Sequence, residues 1–240
     1  DGRKTDLALL GEIARRNGGV RLLLSDSTNA ERPGFTPSES TVGEAMRDLF
    51  RDHPDRRFIV ACFASHLHRV EQVARAALAS GRQIAFLGRS MAQNVTIARE
   101  MGLLDVPAGR VVDIEDASRF APGEICIICT GSQGEPLSAL SLMAAHEHKW
   151  VKVSEDDIVV ISAHAIPGNE ANVSRVIDAF HRTRADVVHG GTSPVHVSGH
   201  ASREELKFML NLTQPERFVP VHGEYRHMVH HARLAQLVED

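Results

Sequence analysis

The feature that most constrains the fold of this chain is the alternation of short β-branched apolar runs with amphipathic helical patterns along its whole length. Such alternation is typical of successive βα units, in which helices cover a largely parallel sheet. Strands are predicted at 21–25, 58–63, 83–87, 124–129, 157–162, 186–189, 195–197 and 217–221. Helical patterns occupy 7–14, 66–79, 90–101, 135–145, 170–182, 202–212 and 224–237. We therefore predict an α/β fold with a doubly wound, Rossmann-like sheet.

Local signals support two of the helix boundaries. Gly81 follows the pattern that ends at Ala79, and glycine is the usual residue just beyond a helix C-terminus. Ser202 and Glu205 have the spacing of a capping box, which predicts a helix start immediately after a Ser-Gly-His turn. The segment 30–39, with two prolines and a glycine, is expected to be an irregular connector.

Composition excludes several classes of protein. The chain has 240 residues with 42% hydrophobic content, and it contains no apolar run of about 18 residues that could span a bilayer. Its net charge of −4 offers no global attraction for polyanions, so a nucleic-acid site would need a local positive groove. The start, Asp1 to Asp6, is polar and lacks Met, which suggests an excised fragment of a cytoplasmic protein rather than a secreted chain.

The three cysteines, Cys62, Cys126 and Cys129, all lie inside apolar runs, which favours reduced thiols packed in a core. The Cys-x-x-Cys spacing of the last two superficially suggests a zinc or redox site. Residues three apart on a strand point to opposite faces, however, so this pair is a poor chelate for one ion.

Several predicted strands run into small or polar residues directly before a helix. Backbone amides and the positive helix end at such junctions favour anions, although ordinary turns also use glycine and serine there. The four junctions are 64–69, 88–90, 130–136 and 198–200. If all four lie on one sheet edge, a phosphate-rich polymer is the expected ligand, with Arg69 and Arg89 supplying charge.

Histidines are the compositional excess of this chain, which has 14 of them. His200 and His222 each follow a predicted strand, and only a fold that returns the chain to the same edge can make them neighbours. Asp26 ends the first strand, where its carboxylate could either cap a turn or orient a histidine. The pairs His66-x-His68 and His146-x-His148 diverge on a helix and are weak chelates, and the second pair is expected to be solvated.

Five segments of the chain closely resemble bacterial ribonuclease J, a family of metallo-β-lactamase-fold nucleases that carry an inserted β-CASP domain. They are SDSTNAERPG at 25–34, TGSQGEP at 130–136, IPGNE at 166–170, VHVSGHA at 195–201 and PVHGEYR at 220–226. The resemblance covers essentially the whole chain in the family's order. It implies residues 40–203 as the β-CASP domain and residues 1–39 and 204–240 as flanking pieces of the lactamase-like αββα fold.

The resemblance implies roles for individual residues. Asp26 resembles the motif A acid and His200 the motif B histidine, both held near the metal centre to handle the scissile phosphate. His222 resembles the motif C histidine, a zinc ligand in this family. The residues expected to contact RNA phosphate are Ser65, His66, Arg69, His196, Ser198, Gly199 and His200.

One family feature has no counterpart in this sequence. The main metal cluster of the family, a His-x-His-x-Asp-His motif with a further His and a bridging Asp, lies upstream of motif A and is missing here. The resemblance therefore implies a two-zinc enzyme of which this chain is one part, able to bind RNA but holding little metal and inactive alone.

The expected function is RNA maturation and decay, including rRNA processing, by 5′-to-3′ exonuclease and endonuclease action in the cytoplasm. The implied partners are single-stranded 5′-monophosphorylated RNA, further copies in a homodimer or tetramer, and RNA-decay proteins, with no membrane. A non-catalytic phosphate or nucleotide-binding Rossmann-like module is the alternative. It predicts binding of free mononucleotides with weak dependence on chain length.

Overall fold

A computed structural model describes residues 5–16, 19–166 and 168–239. Contacts divide the chain into two compact units. The inner unit is residues 39–197, and the outer unit combines residues 1–38 with residues 198–240. No helix in the described ranges is both long and apolar enough to cross a membrane.

The inner unit is built on a five-stranded sheet in which every neighbouring pair is parallel. The strand order is β3-β4-β2-β5-β6. Its strands are β2 (Arg57–Ala61), β3 (Gln83–Leu87), β4 (Ile125–Cys129), β5 (Asp157–Ile161) and β6 (Asp186–His189). Its helices are α2 (Ser40–Asp52), α3 (Leu67–Ala79), α4 (Arg89–Glu100), α5 (Ala139–Ala144) and α6 (Glu170–Arg182).

Helices cover both faces of this sheet, which confirms the predicted doubly wound architecture. Apolar residues of α2, α3 and α4 pack with one face of the strands, and those of α5 and α6 pack with the other. Strands buried on both sides require continuous apolar runs, and all five residues of β4 are buried. The side chains of Cys126 and Cys129 belong to different cores, as their spacing predicts.

All three cysteines are free and buried, so the prediction of core packing is confirmed. Burial raises the pKa of the Cys62 and Cys126 thiols to about 12. Thiols with such a raised pKa are protonated near neutrality and are poor metal ligands or nucleophiles.

The outer unit contains a two-stranded parallel sheet of β1 (Leu23–Asp26) and β7 (Phe218–Val221). Its helices are α1 (Leu7–Arg15), α7 (Arg203–Thr213) and α8 (Tyr225–Glu239). The helix α7 packs against α1 and α8, and α8 packs against β7. The predicted capping box is present, since the Glu205 carboxylate accepts from the Ser202 N–H at 2.8 Å.

Two local predictions were wrong, and one helix was missed. Residues 195–197 form no strand, because Val195 donates its N–H to Ser193 and accepts from the Ser162 hydroxyl instead of joining a ladder. The helix predicted at 135–145 begins only at Ala139, since Leu137 has a left-handed φ of 61°. Helix α2 was not predicted, although Val42, Met46 and Phe50 repeat every fourth residue on its buried face.

The expectation of a solvated His146-x-His148 pair holds for only one member. His146 is exposed, whereas His148 is 7% exposed and its Nδ1 accepts from the Val151 N–H at 3.1 Å. Desolvation, with Lys152 nearby, lowers the pKa of His148, so the ring is a neutral part of the core. The pair is therefore no metal chelate.

Candidate active site

Asp26 and His222 are brought together by the pairing of β1 with β7. The register aligns Asp26 with Val221, so the parallel strands end side by side. The Ser27 N–H then donates to the carbonyls of Val221 at 2.9 Å and His222 at 3.2 Å. His222 has a left-handed φ of 57°, a conformation uncommon for non-glycine residues and found most often in turns and at functional sites.

His200 completes the group from the turn that precedes α7. Its Nδ1 lies 2.6 Å from Asp26 Oδ2, and its ring centroid lies 5.3 Å from that of His222. One ligand atom from each of Asp26, His200 and His222 lies within 4.8 Å of the other two. The structure thus places all three predicted residues in one cluster, with Asp26 and His200 partly buried and His222 exposed.

Hydrogen bonds favour the ionised form of Asp26. Partial burial alone would raise the pKa of its carboxyl group, but bonds from the Thr28 N–H at 2.8 Å and from His200 outweigh that effect. The pKa of Asp26 is therefore below its ordinary value. A carboxylate that faces an imidazole nitrogen fixes the orientation of the ring and attracts a proton to the shared edge.

The chemistry of this donor set fits a metal ion. Two imidazoles and one carboxylate are ligands that Zn²⁺ takes, and one ligand atom of each residue lies within 4.8 Å of the other two. The Asp26–His200 hydrogen bond already occupies one potential ligand atom of each residue, Oδ2 of Asp26 and Nδ1 of His200. His222 is the member whose ring is most exposed, and it is the most accessible to an ion.

The main chain around His200 is held by several side chains of the outer unit. Asn29 donates through Nδ2 to Ser198 Oγ and to the His200 carbonyl, both at 3.0 Å. The Thr36 hydroxyl donates to the same carbonyl at 2.8 Å, and the His200 N–H donates to Ser198 Oγ at 3.1 Å. Gly199 is exposed with open space at its Cα, so a ligand can approach this turn closely.

In the inner unit, Ser65 and His66 follow β2 as the junction pattern predicts. Ser65 is exposed, whereas His66 is half-buried and begins α3 by accepting the Arg69 N–H on Nδ1 at 3.1 Å. Desolvation lowers the pKa of His66, with the Glu39 carboxylate opposing that shift. His66 Nε2 lies 3.9 Å from Glu39 Oε2.

Arg69 lies below the surface, and not on it. It is 1% exposed, and its guanidinium pairs with both carboxylate oxygens of Glu39. It also donates to the carbonyl and hydroxyl of Ser162 at 2.9 Å and faces His196 Nδ1 at 3.0 Å. This geometry leaves no exposed guanidinium face for a phosphate, because the donors are already paired within the inner unit.

His196 is a neutral ring in this network. Desolvation, followed by the charge of Arg69, lowers its pKa to about 4. Its ring centroid lies 4.4 Å from that of His164. A Cβ at Gly190 would lie 2.5 Å from the His164 ring, so a larger residue there would require this ring to shift.

Three residues of this network, Glu39, Ser162 and His164, were missed by sequence reasoning. Ser162-Ala163-His164 follows β5 with the same small and polar pattern as the other junctions, and that signal could have identified two of them. Glu39 precedes α2, which was itself not predicted.

Three of the four predicted junctions do lie on one sheet edge. Those after β2, β3 and β4 are adjacent because the three strands are parallel and neighbouring. Gly88 has a φ of 109°, and an added Cβ would lie 2.4 Å from Thr130 Oγ1, so two junctions touch here. The junction at 198–200 is the exception, since no strand precedes it.

Two family models match the chain. The first, "Ribonuclease J, beta-CASP domain", matches residues 55–180. The second, "Zn-dependent metallo-hydrolase RNA specificity domain", matches residues 186–239. The first alone spans more than half of the sequence.

Curated relatives agree with these matches. Ribonuclease J of Mycobacterium tuberculosis (strain CDC 1551 / Oshkosh) is 47% identical over 98% of this chain and 42% of its own length. Ribonuclease J of Helicobacter pylori (strain J99 / ATCC 700824) is 43% identical over 98% of this chain and 34% of its own length. Ribonuclease J2 of Bacillus subtilis (strain 168) is 42% identical over 95% of this chain and 41% of its own length.

A solved structure shares the fold at low sequence identity. It is a protein of unknown function from Enterococcus faecalis V583, with a TM-score of 0.59 and 12% identity over 90% of this chain and 48% of its own. The present chain spans about two fifths of the M. tuberculosis and B. subtilis relatives, and a third of the H. pylori one. The sequence motifs, the parallel sheet and the family match agree, and this chain belongs to the ribonuclease J β-CASP family.

Proposed function

We propose that this chain is the RNA-handling part of a zinc-dependent ribonuclease that hydrolyses RNA phosphodiesters, as a 5′-to-3′ exonuclease and endonuclease in RNA maturation and decay. The observation that carries the proposal is the convergence of Asp26, His200 and His222 from three separate segments of the outer unit. A carboxylate, a histidine oriented by it and a second exposed imidazole are the groups that metal-assisted phosphoryl chemistry uses.

In this proposal His222 is the metal ligand of the cluster. Zinc, when bound, would polarise a phosphoryl oxygen and activate a water molecule. The left-handed backbone of His222 turns the chain directly after β7, and the Ser27 N–H holds its carbonyl. The side chain thereby projects at the end of the strand, beside the Asp26–His200 pair.

Asp26 and His200 act together on the scissile phosphate. The Asp26 carboxylate holds the shared proton on the Nδ1 side of His200, which leaves Nε2 to face the substrate. When Nε2 is also protonated, the resulting imidazolium can donate a hydrogen bond to a phosphate oxygen or transfer that proton to the leaving oxygen. Ionised Asp26, whose pKa is below its ordinary value, also stabilises positive charge on the ring.

Exposed groups within each unit, taken separately, are proposed to contact substrate phosphates. Ser198 and Gly199 form the accessible turn before His200, and Ser65 and His66 form the exit of β2. Arg69 and His196 contribute by holding Glu39 and Ser162 in place, because both side chains are paired within the inner unit. This role replaces the direct phosphate contact predicted for Arg69.

The chain by itself is proposed to bind RNA without cleaving it. A catalytic zinc usually has three protein ligands and an open position, and a two-metal site needs more ligands than this cluster provides. We further propose a cytoplasmic homodimer or tetramer that cooperates with RNA-decay proteins and takes single-stranded 5′-monophosphorylated RNA.

The test uses the full-length protein with zinc and a 5′-monophosphorylated single-stranded RNA. Asp26→Asn, His200→Ala and His222→Ala are each expected to abolish most cleavage, and His222→Ala also to lower bound zinc. The exposed positions Asp105→Asn and His146→Ala supply controls with the same chemical changes. Unchanged cleavage by all three cluster variants would contradict the assignment.

A non-catalytic nucleotide-binding module is the second candidate, favoured by the glycine-containing junctions on one edge of the parallel sheet. It predicts that mononucleotides bind as well as longer chains. The ribonuclease instead predicts preference for single-stranded RNA and a steep fall in affinity with salt. Binding titrations of a mononucleotide and a ten-residue RNA at two salt concentrations distinguish the two candidates.

A further inference from the structure

The side chain of Asn29 links the segment that carries Asp26 to the segment that carries His200. Asn29 lies three residues after Asp26 and is 5% exposed. Its Nδ2 donates to Ser198 Oγ and to the His200 carbonyl, each at 3.0 Å. An amide nitrogen has two protons, so these two bonds use its full donor capacity.

The contacts of Ser198 leave its hydroxyl a single role. Ser198 Oγ accepts from Asn29 Nδ2 at 3.0 Å and from the His200 N–H at 3.1 Å. A hydroxyl oxygen has two acceptor positions and one proton, so with both positions filled the group can only donate. Ser198 is half-buried beside the exposed Gly199, where a donor suits a phosphate oxygen.

The main chain of His200 is held from both sides. Its N–H is fixed by Ser198, and its carbonyl accepts from Asn29 and from the Thr36 hydroxyl at 2.8 Å. With the backbone held, the ring reaches Asp26 at 2.6 Å. Release of one of these bonds would let the ring move away from the carboxylate, and displacements of about 1 Å can cost about 10²-fold in rate.

We propose that Asn29 is a positioning residue of this site, which holds His200 against Asp26 and sets the Ser198 hydroxyl as a phosphate donor. The proposal rests on the proposed ribonuclease function for its kinetic consequences. Its structural consequence, the Asp26–His200 geometry, is independent of that function.

The test compares Asn29→Asp and Asn29→Ala in the full-length protein with Asn211→Asp. Asn29→Asp keeps the size of the side chain and removes both protons, and Asn29→Ala removes the whole amide. Asn211 is an exposed residue of α7 that donates to the Lys207 carbonyl at 3.0 Å, so Asn211→Asp makes the same chemical change away from the cluster. Crystal structures, melting temperatures and the kinetics of RNA cleavage are measured for each variant.

Both Asn29 variants are expected to lengthen the His200–Asp26 distance and to lower kcat by about 10²-fold. Asn29→Ala should change KM much less, whereas Asn29→Asp should also raise KM, because its carboxylate takes the Ser198 proton from the phosphate. Asn211→Asp is expected to match the unmodified protein. Ser198→Ala is expected to raise KM in the unmodified protein. In the Asn29→Asp background it should change KM little, because the Ser198 proton would then point to the new carboxylate.

The proposal is overturned if both Asn29 variants keep the His200–Asp26 distance and kcat. It is also overturned if kcat falls only in parallel with a lowered melting temperature while that distance is unchanged. If the unmodified protein cleaves no RNA, the proposed function fails, and the distance in the variant structures still decides the role of Asn29.

Discussion

Nδ1 of His200 lies 2.6 Å from Oδ2 of Asp26, although 174 positions separate the two residues in the chain. The contact depends on β1 pairing with β7 and on the turn that precedes α7. Bonds of this kind, with an ionised acceptor, are shorter and stronger than neutral ones. We therefore expect the activity of the site to depend most directly on this hydrogen bond.

Asp26→Asn tests the Asp26–His200 hydrogen bond without changing the size of the side chain. The amide is neutral and presents a different pattern of donors and acceptors to His200, so the ring loses its orientation and its electrostatic support. We expect cleavage to fall about 10²- to 10⁴-fold, in line with the contribution of a positioned acid–base group. Single-turnover rates measure the effect, and equal rates for Asp26→Asn and Asp105→Asn would refute it.

The buried hydrogen bond between Ser27 and His231 is expected to support the Asp26–His200–His222 cluster. Ser27 Oγ lies 3.0 Å from His231 Nδ1, both residues are fully buried, and burial lowers the pKa of His231 to about 4. Ser27→Ala leaves that nitrogen without its partner and is expected to cost about 1–3 kcal/mol of unfolding free energy. Urea unfolding measures the loss.

The double variant Ser27→Ala/His231→Phe should cost less than the sum of the two single changes. Both polar partners are then gone, and a phenyl ring can pack on Phe218, whose ring lies 4.7 Å from that of His231 in an edge-on contact. Ser90→Ala, at an exposed position of α4, is the control and should change stability by no more than about 0.5 kcal/mol. Simple additivity of the two losses would argue against the coupling.

The buried Arg69–Glu39 pair is expected to be structural. Arg69→Met removes the guanidinium that pairs with the largely buried Glu39 carboxylate, and loss of one partner of such a pair costs about 3–5 kcal/mol. Arg75→Met removes the partner of Glu71 in an exposed pair and should cost about 0–1 kcal/mol. Thermal melting of the two variants should show the difference, and equal melting temperatures would contradict it.

The pKa of His196 predicts how stability responds to acid. In the unfolded chain a histidine takes up its proton near pH 6.5, whereas folded His196 does so only near pH 4. Between these values the unfolded state binds more protons, so the unfolding free energy falls as pH drops from about 6.5 to about 4.

His196→Asn should flatten that dependence by up to ~1.4 kcal/mol per pH unit, the slope of one proton. Urea unfolding across this pH range measures the slope, and the exposed His146→Asn is the control. A slope that His196→Asn leaves unchanged would show that His196 contributes nothing to the acid response.

The alternation of apolar runs and helical patterns was enough to predict most of the inner sheet. β3 and β6 begin and end at the predicted residues, and α6 does the same. Cys126 and Cys129 lie on opposite faces because side chains alternate along any strand, a rule that is local and needs no knowledge of the fold.

Other features of the structure could not be predicted from the sequence, because they depend on which distant side chains come into contact in the fold. The pattern after β2 made Arg69 look like an exposed cation, but Glu39, Ser162 and His196 enclose it from three distant segments. Residues 195–197 have the composition of a strand. The Val195 carbonyl, however, accepts from the Ser162 hydroxyl and not from the backbone of a neighbouring strand.

The sequence by itself determined the α/β class, most of the strands and the family, since these follow from local periodicity and from contiguous motifs. Only the tertiary structure decided that Asp26, His200 and His222 meet, and that Asn29 is hydrogen-bonded to the turn that carries His200. The physical reason is that a hydrogen bond acts over about 3 Å, and sequence separation says nothing about which donors and acceptors come that close.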